Sequence, residues 1–144
     1  MGINKTENNS ENNEALTGKR ALKYGGLWRA IGFLIILLII VLSLVPNPEE
    51  ISPVSVSDKL LHIIAYAASM FWFGLCIKRE KLYIAGIILA VLGIIIEFIQ
   101  GQTGYREMSL YDIYANIAGI LIGFLLSLTR LSLALHYIEK KLFR

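Results

Sequence analysis

Four long runs of apolar residues, each free of Asp, Glu, Lys and Arg, follow one another along this chain of 144 residues. The runs are 15 to 19 residues long, and the third ends at Glu97. A helix that crosses a bilayer needs about 20 apolar residues, whereas a buried strand needs only about 4 to 8. The pattern therefore predicts four membrane-spanning helices, at about 28–46, 60–77, 82–100 and 109–128.

The composition supports a membrane protein and argues against a soluble domain. Hydrophobic residues make up 56% of the chain, charged residues only 17%, and the mean hydropathy is +0.60. Soluble domains carry about 25% charged residues. Four spans occupy about 80 residues, which leaves no room for a second folded domain. We expect an all-α membrane protein, built as a bundle of four transmembrane helices.

The remaining residues divide into two tails around a membrane domain at 25–129. Residues 1–24 are rich in Asn and Glu and predict a disordered tail. The first span should end at Pro46 and Pro48, with no signal-peptide cleavage site. Residues 130–144 mix apolar and basic residues and predict a basic helix, which either extends the fourth span or lies along the membrane surface.

Lys and Arg are distributed unevenly between the two sides of the predicted bundle. Twelve of the fourteen fall on the side of the two termini, and only Lys59 and Arg106 fall on the other side. Loops rich in Lys and Arg stay in the cytoplasm. We therefore expect both termini to be cytoplasmic. Because the basic residues mark sidedness rather than one basic face, the net charge of +3 does not indicate a nucleic-acid partner.

Polar and ionisable side chains within the spans are the best indication of function, since each costs about 2.5–3.5 kcal/mol at the bilayer centre. Asp58, His62 and Tyr66 are spaced by four residues, which places them on one face of the second span. The later spans and their loop add further polar residues at the same predicted depth: Glu97, Gln100, Arg106, Asp112 and Asn116. We expect these groups to form a polar pocket in the outer half of the bundle.

Two details of this packing can be predicted. A stripe of small residues on the fourth span should let another helix approach closely: Ala115, Gly119 and Gly123. Glu97 lies inside an apolar segment and needs a partner. We expect that partner to be one of three polar residues: Arg106, His62 or Gln100.

Structural roles also account for several of these residues taken singly. Asp58 and Asp112 lie in first helical turns, where a carboxylate is favoured. Tyr66 suits an interfacial aromatic belt, Arg106 suits a lipid phosphate, and His62 suits packing with a hydrogen bond. The convergence of three spans at one depth favours a functional pocket over these separate explanations.

Three sequence blocks occur in order on successive predicted spans. They are Asp58-Lys59-Leu60-Leu61-His62 with Tyr66, then Glu97-Phe98-Ile99-Gln100, then Arg106-x-x-Ser109-x-x-Asp112-x-x-x-Asn116-x-x-Gly119-x-x-x-Gly123. Over residues 30–128 this pattern resembles the VanZ-like family of small bacterial membrane proteins. The resemblance implies a multi-pass protein of the bacterial cytoplasmic membrane, in a family whose namesake is linked to lowered susceptibility to teicoplanin and which has no settled reaction.

Matched position by position, the family pattern coincides with the pocket residues. It implies ligand-binding positions on all three spans and in the loop: Asp58, Lys59, His62, Tyr66, Glu97, Gln100, Arg106, Ser109, Asp112 and Asn116. The first functional hypothesis is a non-enzymatic envelope protein. It would bind a lipid head group, a lipid-linked envelope precursor or a glycopeptide at the outer leaflet, with Lys59 and Arg106 contacting phosphate or carboxylate.

The second hypothesis is a membrane enzyme acting on a phosphorylated or ester-linked lipid. His62 or Glu97 would be the general acid or base, Asp58 or Asp112 would orient the imidazole, and Arg106 would stabilise developing charge. A proton-coupled carrier is a weaker alternative, because the polar residues do not continue across the membrane. Sequence spacing indicates no metal site and no cofactor-binding motif. The lone Cys76 is expected to be an inert apolar residue.

Overall fold

The computed structural model describes residues 22–46 and 57–142. Within these ranges the chain is all-helical, and four helices are long and apolar enough to cross a membrane, which confirms the prediction of four candidate spans. They are α1 (Gly25–Ser43), α2 (Asp58–Cys76), α3 (Leu82–Gln102) and α4 (Leu110–Ser127).

The first span is shifted towards the N-terminus relative to the prediction. It begins at Gly25 and ends at Ser43, three residues before Pro46. A proline disfavours helical conformation in the residue before it and lacks the N–H that continues a helix, so its influence starts before the ring itself. Pro48 and residues 1–21 of the predicted tail lie outside the described residues.

The loop between the third and fourth spans is shorter than predicted. Gly101 and Gln102 belong to α3, whereas the sequence placed them in the loop. The chain turns at Gly104, whose φ of 76° lies in the left-handed region that favours glycine.

Two 3₁₀ helices connect the remaining elements. Arg79–Lys81 joins α2 to α3 in a short turn, as expected for adjacent antiparallel spans. Arg130–Leu133 follows α4 and leads into α5 (Ala134–Leu142). The C-terminal segment is therefore a separate helix, and the alternative in which it extends the fourth span is wrong.

Helices α2 and α4 form the closest helix pair of the bundle. A Cβ atom on Gly119 would collide with the carbonyl oxygen of Ile63, and one on Gly123 would collide with that of Ala67. Glycine at these positions lets the two backbones touch. The predicted small-residue stripe is thereby confirmed, and it is α2 that packs against it.

An apolar core fills the space where α2, α3 and α4 meet. Its buried residues are Tyr66, Met70, Leu82, Leu89 and Ile120. Many large apolar side chains on the outward faces of the helices are exposed, as a lipid-facing surface requires.

Helix α1 lies at the periphery of this bundle. Its one buried residue among those described is Gly32. Edge-on aromatic contacts hold α1 to α2, between Trp28 and Trp72 with ring centres 6.1 Å apart and between Phe33 and Phe73 at 5.8 Å.

A buried carboxylate joins α5 to the start of α1. Glu139 accepts hydrogen bonds from the backbone N–H groups of Lys23 and Tyr24, both at 2.9 Å, and from the indole N–H of Trp28 at 2.8 Å. Backbone N–H groups at a helix start lack partners within the helix, so a carboxylate there is stabilising. We call this end of the bundle, which includes the Arg79–Lys81 turn, the basic end. The opposite end, where α2 and α4 begin and α3 ends, is the polar end.

Candidate functional site

The polar residues singled out in the sequence come together at the polar end. We call them the polar cluster, and its members are Asp58, His62, Tyr66, Glu97, Gln100, Arg106, Asp112 and Asn116. Three helices and the loop between α3 and α4 each contribute. The convergence predicted from spacing on separate spans is therefore present in the structure.

Burial divides the polar cluster into a deep part and a rim. Glu97 and Gln100 are only 1% exposed, and Asp112 is 6% exposed. The side chain of Asp58 is 42% exposed, and that of Lys59, which borders the cluster, is 53% exposed; these two residues form the rim. A ligand that reaches the cluster from the polar end therefore meets the rim first.

His62 is oriented by an amide from the neighbouring helix. Its Nδ1 atom lies 2.9 Å from Oδ1 of Asn116, and its Nε2 atom lies 3.8 Å from Oδ2 of Asp58. The first distance is a hydrogen bond and the second is too long to be one. Asn116 therefore orients the imidazole through Nδ1. The expectation that Asp58 or Asp112 would form this hydrogen bond is wrong.

The two basic residues of the polar end each face a carboxylate of the cluster. Arg106 donates from Nη2 to Oδ2 of Asp58 at 2.5 Å, which ties the α3–α4 loop to the start of α2. Nζ of Lys59 lies 3.5 Å from Oδ1 of Asp112, which ties α2 to α4. The Arg106–Asp58 pair is within hydrogen-bond distance, whereas the Lys59–Asp112 pair is a longer and weaker ion pair.

Glu97 is bound by the backbone of the loop rather than by the expected side chains. Its Oε1 accepts a hydrogen bond from the backbone N–H of Ser109 at 2.6 Å, while its buried Oε2 has no hydrogen-bond partner within the described ranges. The hydrogen bond expected from Arg106, His62 or Gln100 therefore comes from the backbone instead. Ser109 stands just before α4, so this bond joins the end of α3 to the start of α4.

Gln100 joins the polar cluster to the end of α1. Its amide nitrogen donates to the carbonyl oxygen of Ser43 at 2.5 Å, and the hydroxyl of Tyr105 donates to that of Leu44 at 2.6 Å. Carbonyl groups at the end of a helix lack partners within the helix. Both side chains therefore hold the end of α1 against the polar end.

Tyr66 forms the floor of the polar cluster, and a glycine that sequence reasoning missed makes room for it. Tyr66 is buried, so it does not belong to an interfacial belt. A Cβ atom on Gly93 of α3 would lie 3.0 Å from the Tyr66 hydroxyl and 3.0 Å from Nδ2 of Asn116. A glycine between isoleucines and leucines on a predicted span is the signal that could have indicated this close approach.

The polar cluster does not continue along the bundle axis. The next buried polar residues of α2 and α4 among those described are Ser69 and Ser127, and both hydroxyls bind carbonyls of their own helices. Met70 and Ile120 of the apolar core also lie on these helices. The arrangement suits binding or chemistry at one end of the bundle better than passage through it.

One group within the cluster has the composition of a metal-ligand set. Asp58, His62 and Asp112 each offer one ligand atom, and these atoms lie within 4.8 Å of one another. Sequence spacing did not indicate this group, because Asp112 is supplied by α4 and meets the other two only through the close α2–α4 packing.

Comparisons with protein-family models, with curated proteins and with solved structures give no match to this chain. The resemblance to the VanZ-like family and the functions it implies therefore stay predictions. What the structure adds is the geometry of the residues that carry the resemblance.

Proposed function

We propose that this chain is a multi-pass protein of the bacterial cytoplasmic membrane, with both termini in the cytoplasm and the polar end in the outer leaflet. The support is the distribution of charge, since twelve of fourteen Lys and Arg residues belong to the opposite side. In a Cys76→Ser background, Ser57→Cys should react with a membrane-impermeant maleimide added to intact cells, and Glu80→Cys should not. The reverse pattern would refute this orientation.

At the polar end we propose a binding site for the anionic head group of a membrane lipid or of a lipid-linked envelope precursor. The observation that carries this proposal is that Lys59 and Arg106, from two separate segments, border the same buried polar cluster. An anionic group in the outer leaflet would lie at the depth of these side chains.

Both basic residues retain capacity for such a ligand. A guanidinium group has five N–H donors, and Arg106 uses its Nη2 atom on Asp58. The pairing holds the guanidinium in place and leaves donors for a phosphate, which arginine binds in a forked geometry. Lys59 is more than half exposed and only loosely paired with Asp112, so its ammonium group can turn towards a phosphate at little cost.

The proposal is tested by the lipids that stay bound when the protein is purified in mild detergent and quantified by mass spectrometry. Arg106→Gln should lower the retained anionic lipid about 10- to 150-fold, because a hydrogen bond to a charged group contributes about 1.5–3 kcal/mol. Arg106→Lys should retain an intermediate amount, since the charge remains but the fork is lost. Arg130→Gln at the basic end is the matched control and should retain as much as the unsubstituted protein.

Equal retention by Arg106→Gln and Arg130→Gln would refute head-group binding at the polar end. The resemblance to the VanZ-like family adds lowered teicoplanin susceptibility to the proposal. Expression in a sensitive bacterium should then raise the inhibitory concentration of teicoplanin, and Arg106→Gln should abolish the increase without lowering the amount of protein in the membrane.

A second candidate function is acid–base catalysis on a bound lipid, favoured by the geometry of His62. With Nδ1 bonded to Asn116, the Nε2 atom faces the rim and is free to accept a proton. His62→Gln should then retain lipid but convert none of it to product. Equal turnover by His62→Gln would remove this residue from the chemistry.

A further inference from the structure

The group formed by Asp58, His62 and Asp112 combines one imidazole nitrogen with two carboxylate oxygens. Asp58 and His62 lie one turn apart on α2, and Asp112 approaches them from the first turn of α4. The three ligand atoms come from two helices and lie within 4.8 Å of one another. An acidic cluster alone would not indicate a metal, so the proposal depends on the burial and the hydrogen-bond partners of the three ligand residues.

The imidazole of His62 has the arrangement found in metal-binding histidines. Oδ1 of Asn116 can only accept a hydrogen bond, so in the neutral imidazole Nδ1 carries the proton and Nε2 has the lone pair. That lone pair faces Oδ2 of Asp58 at 3.8 Å. Two acceptor atoms facing each other at this distance have room for a cation between them. A hydrogen bond from the other ring nitrogen fixes the orientation of most metal-bound histidines.

Asp112 supplies the independent observation that a cation belongs here. It is 6% exposed, and its buried Oδ1 accepts no hydrogen bond from the residues that the structure describes. Among the described residues, Nζ of Lys59 lies within ion-pair distance of this oxygen, at 3.5 Å, on a side chain that is more than half exposed. A buried carboxylate oxygen without a donor is unfavourable, and a bound cation would remove that cost.

We propose that Asp58, His62 and Asp112 bind a divalent first-row transition-metal ion such as Mn²⁺ or Zn²⁺. Mixed imidazole and carboxylate donors suit these ions better than Ca²⁺ or Mg²⁺, which prefer oxygen alone. Asn116 orients His62 through the other ring nitrogen. Arg106 donates to Oδ2 of Asp58, the oxygen that faces Nε2 of His62, so a bound ion would share this carboxylate with the guanidinium group. Ligands about 2.1 Å from a tetrahedral ion lie about 3.4 Å apart, so the group contracts on binding.

Lys59 distinguishes this proposal from a purely structural cluster. Its ammonium group lies 3.5 Å from Oδ1 of Asp112 and would compete with a metal ion for this oxygen. Removing this charge should tighten metal binding, whereas removing a ligand should weaken it. If the cluster is purely structural, neither substitution should change the affinity for a metal ion.

The experiment uses the full chain in a maltoside detergent, which has no phosphate, stripped with chelator and titrated with Mn²⁺ alone. Electron paramagnetic resonance should detect one bound ion per chain, with nitrogen coupling from an imidazole that is lost in His62→Gln. Asp112→Asn should bind about tenfold more weakly or worse, and Lys59→Gln about threefold more tightly or better. The matched control Glu80→Gln, at the basic end, should bind as the unsubstituted protein does.

An absence of bound Mn²⁺ at millimolar concentration overturns the proposal. Equal affinity of Asp112→Asn and Glu80→Gln overturns it as well. If Asp112→Asn does not fold, the Lys59→Gln variant, which changes an exposed side chain, tests the proposal in its place. Unchanged or weaker Mn²⁺ binding by Lys59→Gln would contradict the proposal.

The metal site stands independently of the lipid proposal, since the metal is the only probe. A bound ion would occupy Nε2 of His62, so it also excludes that atom as a general base.

Discussion

The contact between α2 and α4 can be tested at Gly119, where the substitution Gly119→Ala adds one methyl group. The added Cβ would meet the carbonyl oxygen of Ile63 and, at 3.1 Å, the backbone nitrogen of Ala67. Backbone atoms cannot rotate away as the end of a side chain can. The helices must therefore separate by about 1 Å to restore ordinary contact distances.

We expect Gly119→Ala to lower the free energy of unfolding by about 2–3 kcal/mol, the upper part of the range for overpacking. The matched control is Gly86→Ala on α3, where the new Cβ would lie 3.6 Å from the nearest atom of Ile120, an ordinary contact. Alanine favours the helix over glycine by up to about 1 kcal/mol, so this control should be neutral or stabilising. Unfolding by steric trapping in detergent measures both values.

The same substitution should also disturb the polar cluster. Separation of the helices by about 1 Å would lengthen the His62–Asn116 hydrogen bond, now 2.9 Å, beyond bonding distance. The ¹⁵N chemical shift of Nδ1 in His62 should change in Gly119→Ala and stay constant in Gly86→Ala. Equal stability and unchanged shifts in both variants would refute the close packing of α2 and α4.

Two further substitutions test the buried carboxylates. Glu139→Gln should lower the free energy of unfolding by about 1–3 kcal/mol, because it weakens charge-assisted hydrogen bonds to the start of α1. It should also shift the fluorescence of Trp28. If Glu139→Gln and the control Glu80→Gln gave the same stability and fluorescence, this capping role would be wrong. Glu97→Gln should leave stability unchanged or raised, because the amide oxygen can still accept from Ser109 and a neutral amide replaces a carboxylate that is costly to bury. Thermal unfolding that drops by more than about 5 °C in Glu97→Gln would contradict that account.

The spans and the convergence of polar residues could be predicted from sequence because both follow from periodicity. Intervals of four residues place His62 beside Asp58, whatever the rest of the fold does. The end of α1 was harder to predict, because Pro46 acts on the residues before it.

The pairing within the polar cluster could not be predicted, because it depends on how separate segments meet. The path of the loop decides that Arg106 binds Asp58 and that Ser109 binds Glu97. Neither residue type nor spacing distinguishes these pairs from the expected ones. The capping of α1 by Glu139 joins positions more than 100 residues apart, so no local pattern indicates it.

The most direct test of head-group binding is the distance between Arg106 and a lipid phosphorus atom. Solid-state NMR of arginine-labelled protein in bilayers with anionic lipid measures ¹⁵N–³¹P dipolar dephasing, and the difference between the unsubstituted protein and Arg106→Gln isolates this side chain. A guanidinium–phosphate contact predicts dephasing that corresponds to about 4 Å. If the two samples dephase identically, Arg106 touches no phosphate and the central claim is wrong.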